Sequence, residues 1–164
     1  MNEDMSIRKA RPDEHGILTK ISFASKQHWE YPDEYFVQWN DELTITEKYI
    51  NDNDVFVYCK GGFPCAYYSL INIKQDFKAG EVLITSGYWL EHMFVSPVYI
   101  NKGIGTILYN HLLDHCKQNK ISAFKIFADP NAKEFYVKMG AVYEKEYPSS
   151  IFGRTVSLLS VTID

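Results

Sequence analysis

The sequence is short of cysteine, of basic charge and of long apolar runs, and each shortage removes a class of protein. Cys59, Cys65 and Cys116 are the only cysteines, and none stands in a CxxC pair. That excludes a disulfide framework and a zinc ribbon. Free thiols fit a reducing compartment, so a cytoplasmic location is expected. The 17 Lys and Arg against 21 Asp and Glu leave a net charge of -4, so no overall field draws nucleic acid, whose binding rests on cations against phosphates. No stretch approaches the roughly 20 apolar residues needed to cross a bilayer. The opening thirty residues interleave charges and lack the apolar core of a signal peptide. No repeat or interdomain linker interrupts the 164 residues, so a single domain over 1–164 is expected.

What is present is an ordinary globular composition, 46% hydrophobic and 23% charged, arranged in recognisable periods. A short strand is expected around Ile7, then a turn at Pro12 and Asp13. A helix should follow, with Ile17, Leu18, Ile21 and Ala24 at helical spacing. The aromatic and acidic stretch after Glu30 suggests one short helix carrying Tyr35, Phe36 and Trp39, and another from Thr46 to Ile50. "DVFVYCKGGFPCAYYSLINI" reads as a β-hairpin turning at Gly61 and Gly62. After a polar connection from Gln75 to Gly80 come the strand "GYWLEHMFVSP" and a turn holding Gly103 and Gly105. A helix then runs through about Asn119. A strand from Ile121 to Ala128, a helix from about Ala132 to Met139 and two closing strands complete an α/β pattern, with a mixed sheet and helices on both faces.

The turn carries the first chemical signal. A strand that feeds a glycine-rich turn and then a helix makes an anion site, because the first helical N–H groups lack acceptors and the helix dipole favours negative charge. Here Ile104, Ile107, Leu108, Leu112 and Cys116 form the apolar stripe, opposite Asn110, Asp114 and Lys117. The dinucleotide fingerprint fails because Leu108 stands in place of its third glycine, and the Walker pattern fails because no GK[ST] follows.

The second signal is "ADPNAKEFYVKMGA". Asn131 and Glu134 have the spacing of a capping box. Ala132, Phe135, Tyr136 and Met139 form a stripe, and Gly140 suits the left-handed residue that ends a helix.

Together these stretches, spanning roughly Glu91 to Gly140, resemble the GCN5-related N-acetyltransferase (GNAT) superfamily. "INKGIG" is similar to its [QR]xxGxG loop, with Ile100 in place of the usual Arg or Gln. "PNAKEFYVKMGA" is similar to its N-x-x-A-x-x-F-Y-x-K-x-G-F run, with Ala141 in place of Phe. The ninety residues before them match the family only in element order. The resemblance implies a mostly antiparallel mixed sheet with a splayed central strand, and acetyl-CoA as co-substrate. It implies that the backbone of Met93, Phe94 and Val95 holds the pantetheine arm, and that the amides of Lys102, Gly103, Ile104, Gly105 and Thr106 hold the diphosphate. Asn131, Lys133 and Tyr136 would also contact the cofactor, with the Tyr136 hydroxyl turned toward the thioester sulfur.

Acetyl transfer needs an acid for the departing thiolate and a route for the amine's proton. Tyr136 is the expected acid. Glu91 and His92 are both candidate bases, and strand alternation puts His92 on one side with Phe94 and Glu91 on the other with Met93 and Val95. The expected acceptor is a primary amine of a small molecule or peptide. Neither nucleic acid nor membrane is expected as a partner, and the protein is expected as a monomer or homodimer. His111 and His115 lie four apart but show no third ligand, so no metal is expected. The aromatic-acidic segment suits either a cationic acceptor or a solvated helix face, and Arg154 either an acceptor carboxylate or solvent. A non-catalytic acyl-CoA-binding or sensing domain, and an unrelated phosphate-binding domain, are the alternatives to an enzyme.

Overall fold

The computed structural model describes residues 5–164. The chain forms two compact units: residues up to Ser69 together with His92–Leu108, and Leu70–Glu91 together with Tyr109–Asp164.

In the first unit, β1 (Met5–Lys9) lies antiparallel to β2 (Asp54–Lys60), from Met5↔Lys60 to Lys9↔Phe56. A 3-10 turn at Pro12–Glu14 opens on proline, where a missing N–H costs nothing. Helix α1 (His15–Gln27) buries Leu18 and Ile21 as its spacing predicts, but Ala24 is only half-buried and Ser22 and Ser25 share the packed face. The Ser22 hydroxyl donates to the Leu18 carbonyl at 2.9 Å and bonds the Tyr67 hydroxyl at 2.5 Å, which satisfies both buried groups.

Helix α2 (Asp33–Leu43) buries Trp39 and Leu43. Helix α3 (Glu47–Asp52) starts where the Thr46 hydroxyl accepts the Tyr49 N–H at 3.0 Å. Strand β3 (Phe63–Ile73) returns from the expected Gly61-Gly62 turn. Leu18, Ile21, Ile45, Ile50, Val55, Val57, Cys59 and Tyr67 form the core of this unit.

The second unit contains a ladder that sequence periodicity does not reveal. β4 (Phe77–Ala79), inside the stretch read as a polar connection, pairs with β5 (Val82–Ile84) just beyond it. Three-residue strands around Gly80 are too short to set up an alternation. Strand β6 (Gly87–Val95) begins here and continues into the first unit. It runs parallel to β7 (Ala123–Ala128) through Trp89↔Lys125 and Leu90↔Ile126. That two-residue ladder, on strands of nine and six residues, is the splay expected of the central strand.

Helix α4 (Ile104–Gln118) and the short α5 (Lys133–Lys138) complete the helices. β9 (Thr155–Thr162) is antiparallel both to β7 and to β8 (Val142–Pro148), the latter with a bulge between Tyr143 and Lys145. Hydrogen-bonded neighbours run β1-β2-β3-β6 and then β6-β7-β9-β8. The sheet is thus mixed, as the alternation of elements suggested, and mostly antiparallel, as the family resemblance implied. Among the described residues no helix is long and apolar enough to cross a membrane.

Candidate active site

Strand β6 ends when the Ser96 N–H bonds the Cys65 carbonyl at 2.9 Å, and a 3-10 turn at Pro97–Tyr99 leads to the glycine turn. Asn101 at φ 63° and Gly103 at φ 79° are both left-handed. Left-handed residues set among ordinary ones curl successive N–H groups into a concave nest for an anion. The Gly103 carbonyl accepts from the Ile107 N–H at 3.2 Å, so α4 opens at Gly103 and the amides of Ile104, Gly105 and Thr106 precede its first internal donor. A Cβ built at Gly103 meets no atom within 4 Å, so the glycine answers its φ angle and leaves open space above the turn. These groups fit a diphosphate.

The stripe of α4 needs one correction. Ile104, Leu108, Tyr109, Leu112 and Cys116 are buried, but Ile107 is 44% exposed. At 100° per residue the buried set centres near Leu112, which leaves Ile107 well off it.

In the same unit, His92 is buried with its ring 5.6 Å from Phe94, 6.1 Å from Tyr49 and 6.3 Å from Tyr67. The alternation holds, because the stacked Phe94 shares its side and Glu91 is exposed. The Tyr49 hydroxyl donates to Ser69 Oγ at 2.8 Å. Burial first, and then the positive charge of Lys26, push the His92 imidazole down to about 4, so it is neutral at physiological pH. The Lys26 ammonium lies over Trp39 at 4.4 Å and Tyr31 at 5.8 Å. The ring faces that suit a cationic acceptor hold this lysine. Met93, Phe94 and Val95 are half-buried, and Lys102 and Thr106 are exposed.

In the second unit, helix α5 starts one residue later than the expected Asn131 cap. The N-cap of α5 is Ala132, with no side-chain cap bond. Asp129 organises the entry instead: its carboxylate accepts the Asn131 N–H at 2.9 Å and its carbonyl accepts those of Ala132 and Lys133. An aspartate bonding the amide two residues on is a local turn that competes with a side-chain cap. Asp129 Oδ2 also lies 3.6 Å from Arg154 Nη2, so the arginine faces a carboxylate of its own chain. Lys133 places its ammonium 4.0 Å from the Tyr143 ring centroid.

The exit of α5 follows expectation. Gly140 stands at φ 106°, its N–H bonds the Val137 carbonyl, and the Ala141 N–H bonds that of Tyr136. Those two bonds make a Schellman motif. Tyr136 is buried among Tyr109 and Phe135, with centroids at 6.1 and 5.3 Å. Burial, with a smaller part from Tyr109, holds its phenol well above the ordinary range, so it is protonated at neutral pH. Sequence reasoning missed Lys26, Tyr49, Tyr109 and Asp129. Only Asp129 had a local cue, in the turn-forming dipeptide Asp129-Pro130.

Residues 24–141 match the family model described as "Acetyltransferase (GNAT) family". The chain belongs to that family. As a GNAT acetyltransferase it shares its fold with solved relatives over nearly its whole length. A GCN5-related N-acetyltransferase from Rhodopseudomonas palustris is 17% identical, with a TM-score of 0.75 over 99% of this chain and 98% of that one. PaiA N-acetyltransferase from Thermoplasma acidophilum, solved in complex with coenzyme A, is 16% identical, with a TM-score of 0.73 over 99% of both chains. YncA from Salmonella typhimurium, a putative acetyltransferase solved with acetyl-CoA, is 16% identical, with a TM-score of 0.67 over 99% of this chain and 95% of that one. No curated protein matches the chain. This GNAT member is therefore assigned the transferase class and the fold by family, while its acceptor rests on its own residues.

Proposed function

We propose that this chain is one N-acetyltransferase domain over 1–164 that moves the acetyl group of acetyl-CoA directly to a primary amine of a small molecule or peptide. The observation that carries the reading is the nest at Asn101–Gly103 opening α4, with Gly103 left-handed. Acetyl-CoA supplies the activated thioester. The amides of Lys102–Thr106 bind its diphosphate, and the backbone of Met93–Val95 takes the pantetheine arm as an added strand. An N–H near Phe94 serves the developing oxyanion.

Tyr136 is the proton donor to the leaving thiolate, which its protonated state at neutral pH supports. Asn131 and Lys133 bind the cofactor at the start of α5. For the amine's proton, His92 is neutral and able to accept it, but burial and Lys26 penalise a lasting imidazolium. His92 therefore passes the proton on to water, and exposed Glu91 is the alternative base. The buried thiols Cys59, Cys65 and Cys116, none of them in a disulfide, support a cytoplasmic protein and take no part as nucleophiles.

Calorimetric titration with coenzyme A, paired with thiol release across a panel of primary amines, tests the reading. Binding together with amine-dependent release is expected, and Tyr136→Phe should keep binding while lowering kcat by about a hundredfold. Binding without release from any amine would identify a sensing module, and absence of binding would remove the proposal.

A further inference from the structure

Beyond Tyr136, the second unit buries another phenol that the reaction as written does not use. Tyr109, on α4, is fully buried, and its hydroxyl has no hydrogen-bond partner among the described residues. Its ring meets Phe124 at 6.4 Å, Phe135 at 6.2 Å and Tyr136 at 6.1 Å. Of these three neighbouring rings, Phe124 and Phe135 carry no polar group, and only Tyr136 carries a hydroxyl. A buried hydroxyl left unpaired costs about 1–3 kcal/mol, and phenylalanine would fill the same space without it. The cost points to a partner that exists only at some stage of turnover.

Such a stage follows from the proposed chemistry. When the tetrahedral intermediate collapses, the C–S bond breaks, its electron pair goes to sulfur, and the Tyr136 O–H proton moves to that thiolate. Tyr136 is left as a phenolate in an apolar shell of rings, where an unpaired charge is heavily penalised. The amine has meanwhile lost one proton to the base and solvent, and the phenolate recovers one from solvent, so charge and protons balance over the cycle. We infer that Tyr109 is a positioning residue for Tyr136: its ring, 6.1 Å from that of Tyr136 at rest, shifts in the reacting complex so that its hydroxyl, unpaired at rest, donates to the Tyr136 phenolate and holds that oxygen during proton transfer. A hydroxyl hydrogen rotates to suit its acceptor, and catalytic bonds that are long at rest tighten in the reacting complex. This inference rests on the acetyltransferase reading and on Tyr136 as its acid.

The test is a double-mutant cycle of Tyr109→Phe and Tyr136→Phe, with kcat, KM and thermal midpoint measured for each. Tyr109→Phe alone should lower kcat about tenfold, the worth of one hydrogen bond to a charged group. KM should stay put, and the thermal midpoint should be unchanged or higher, because the lost hydroxyl had no partner. In the Tyr136→Phe background, Tyr109→Phe should have no further effect. Unchanged kcat, a penalty that adds in full to that of Tyr136→Phe, or a lowered thermal midpoint would each overturn the role of Tyr109. An inert Tyr136→Phe would instead strike at the acid assignment, so the two failures are distinguishable.

Discussion

The imidazole of His92 stacks on the Phe94 ring, centroids 5.6 Å apart and planes at 27°, within a surround that includes Tyr49 and Tyr67. That enclosure gives stability a pH dependence. The native pKa, near 4, lies below the ordinary 6.5, so between those values the unfolded chain binds a proton that the folded chain refuses. The contribution of His92 is present in full above pH 6.5 and is lost as pH falls toward 4. It amounts to roughly 3 kcal/mol at about 1.4 kcal/mol per unit. Denaturant unfolding from pH 7 to 4 should show that slope, and His92→Phe should flatten it.

Lys26 contributes to that shift from its seat on Trp39 and Tyr31. Lys26→Met keeps an apolar stem against the rings and removes the charge. The His92 midpoint, followed by NMR of its ring protons, should then rise. A midpoint that stays in place would assign the whole depression to burial.

Gly103 combines a left-handed φ with open space above the turn. Gly103→Val should weaken coenzyme A binding by tenfold or more, because a β-branched residue disfavours that φ by roughly 1–2 kcal/mol and sets a side chain where the diphosphate is proposed. Isothermal titration measures the loss. An unchanged affinity would place the anion elsewhere.

Glu14 is buried, and its carboxylate accepts from the Arg8 guanidinium at 2.9 and 2.7 Å and from the Arg11 N–H at 2.8 Å. Glu14→Ala leaves those donors facing each other without their acceptor. It should cost about 2–3 kcal/mol in urea unfolding, since bonds to charged groups are individually strong. Activity per folded molecule should be unaffected.

Much of the backbone geometry of the candidate site was legible because its two motifs are local. The turn after β6 and the exit of α5 depend on backbone geometry over a few residues, so Gly103 and Gly140 identified themselves by position. The failures share a cause. Asn131 has the spacing of a cap, but the helix takes Ala132 as its N-cap, and Asp129 two residues earlier bonds the same stretch of backbone. Ile107 fits a helical period, yet the packed face of α4 centres elsewhere. The β4–β5 ladder is too short to impose a period at all.

The order of the main elements, the left-handed turn that opens α4 and the left-handed end of α5 were set by the sequence itself, because each follows from hydrogen bonds between near neighbours. Tertiary structure alone decided that His92 is neutral, that Lys26 lies on Trp39 and that the Tyr109 hydroxyl is buried beside Tyr136. Those properties are created by desolvation and by rings brought from distant segments, and no local pattern encodes what a side chain will be buried against.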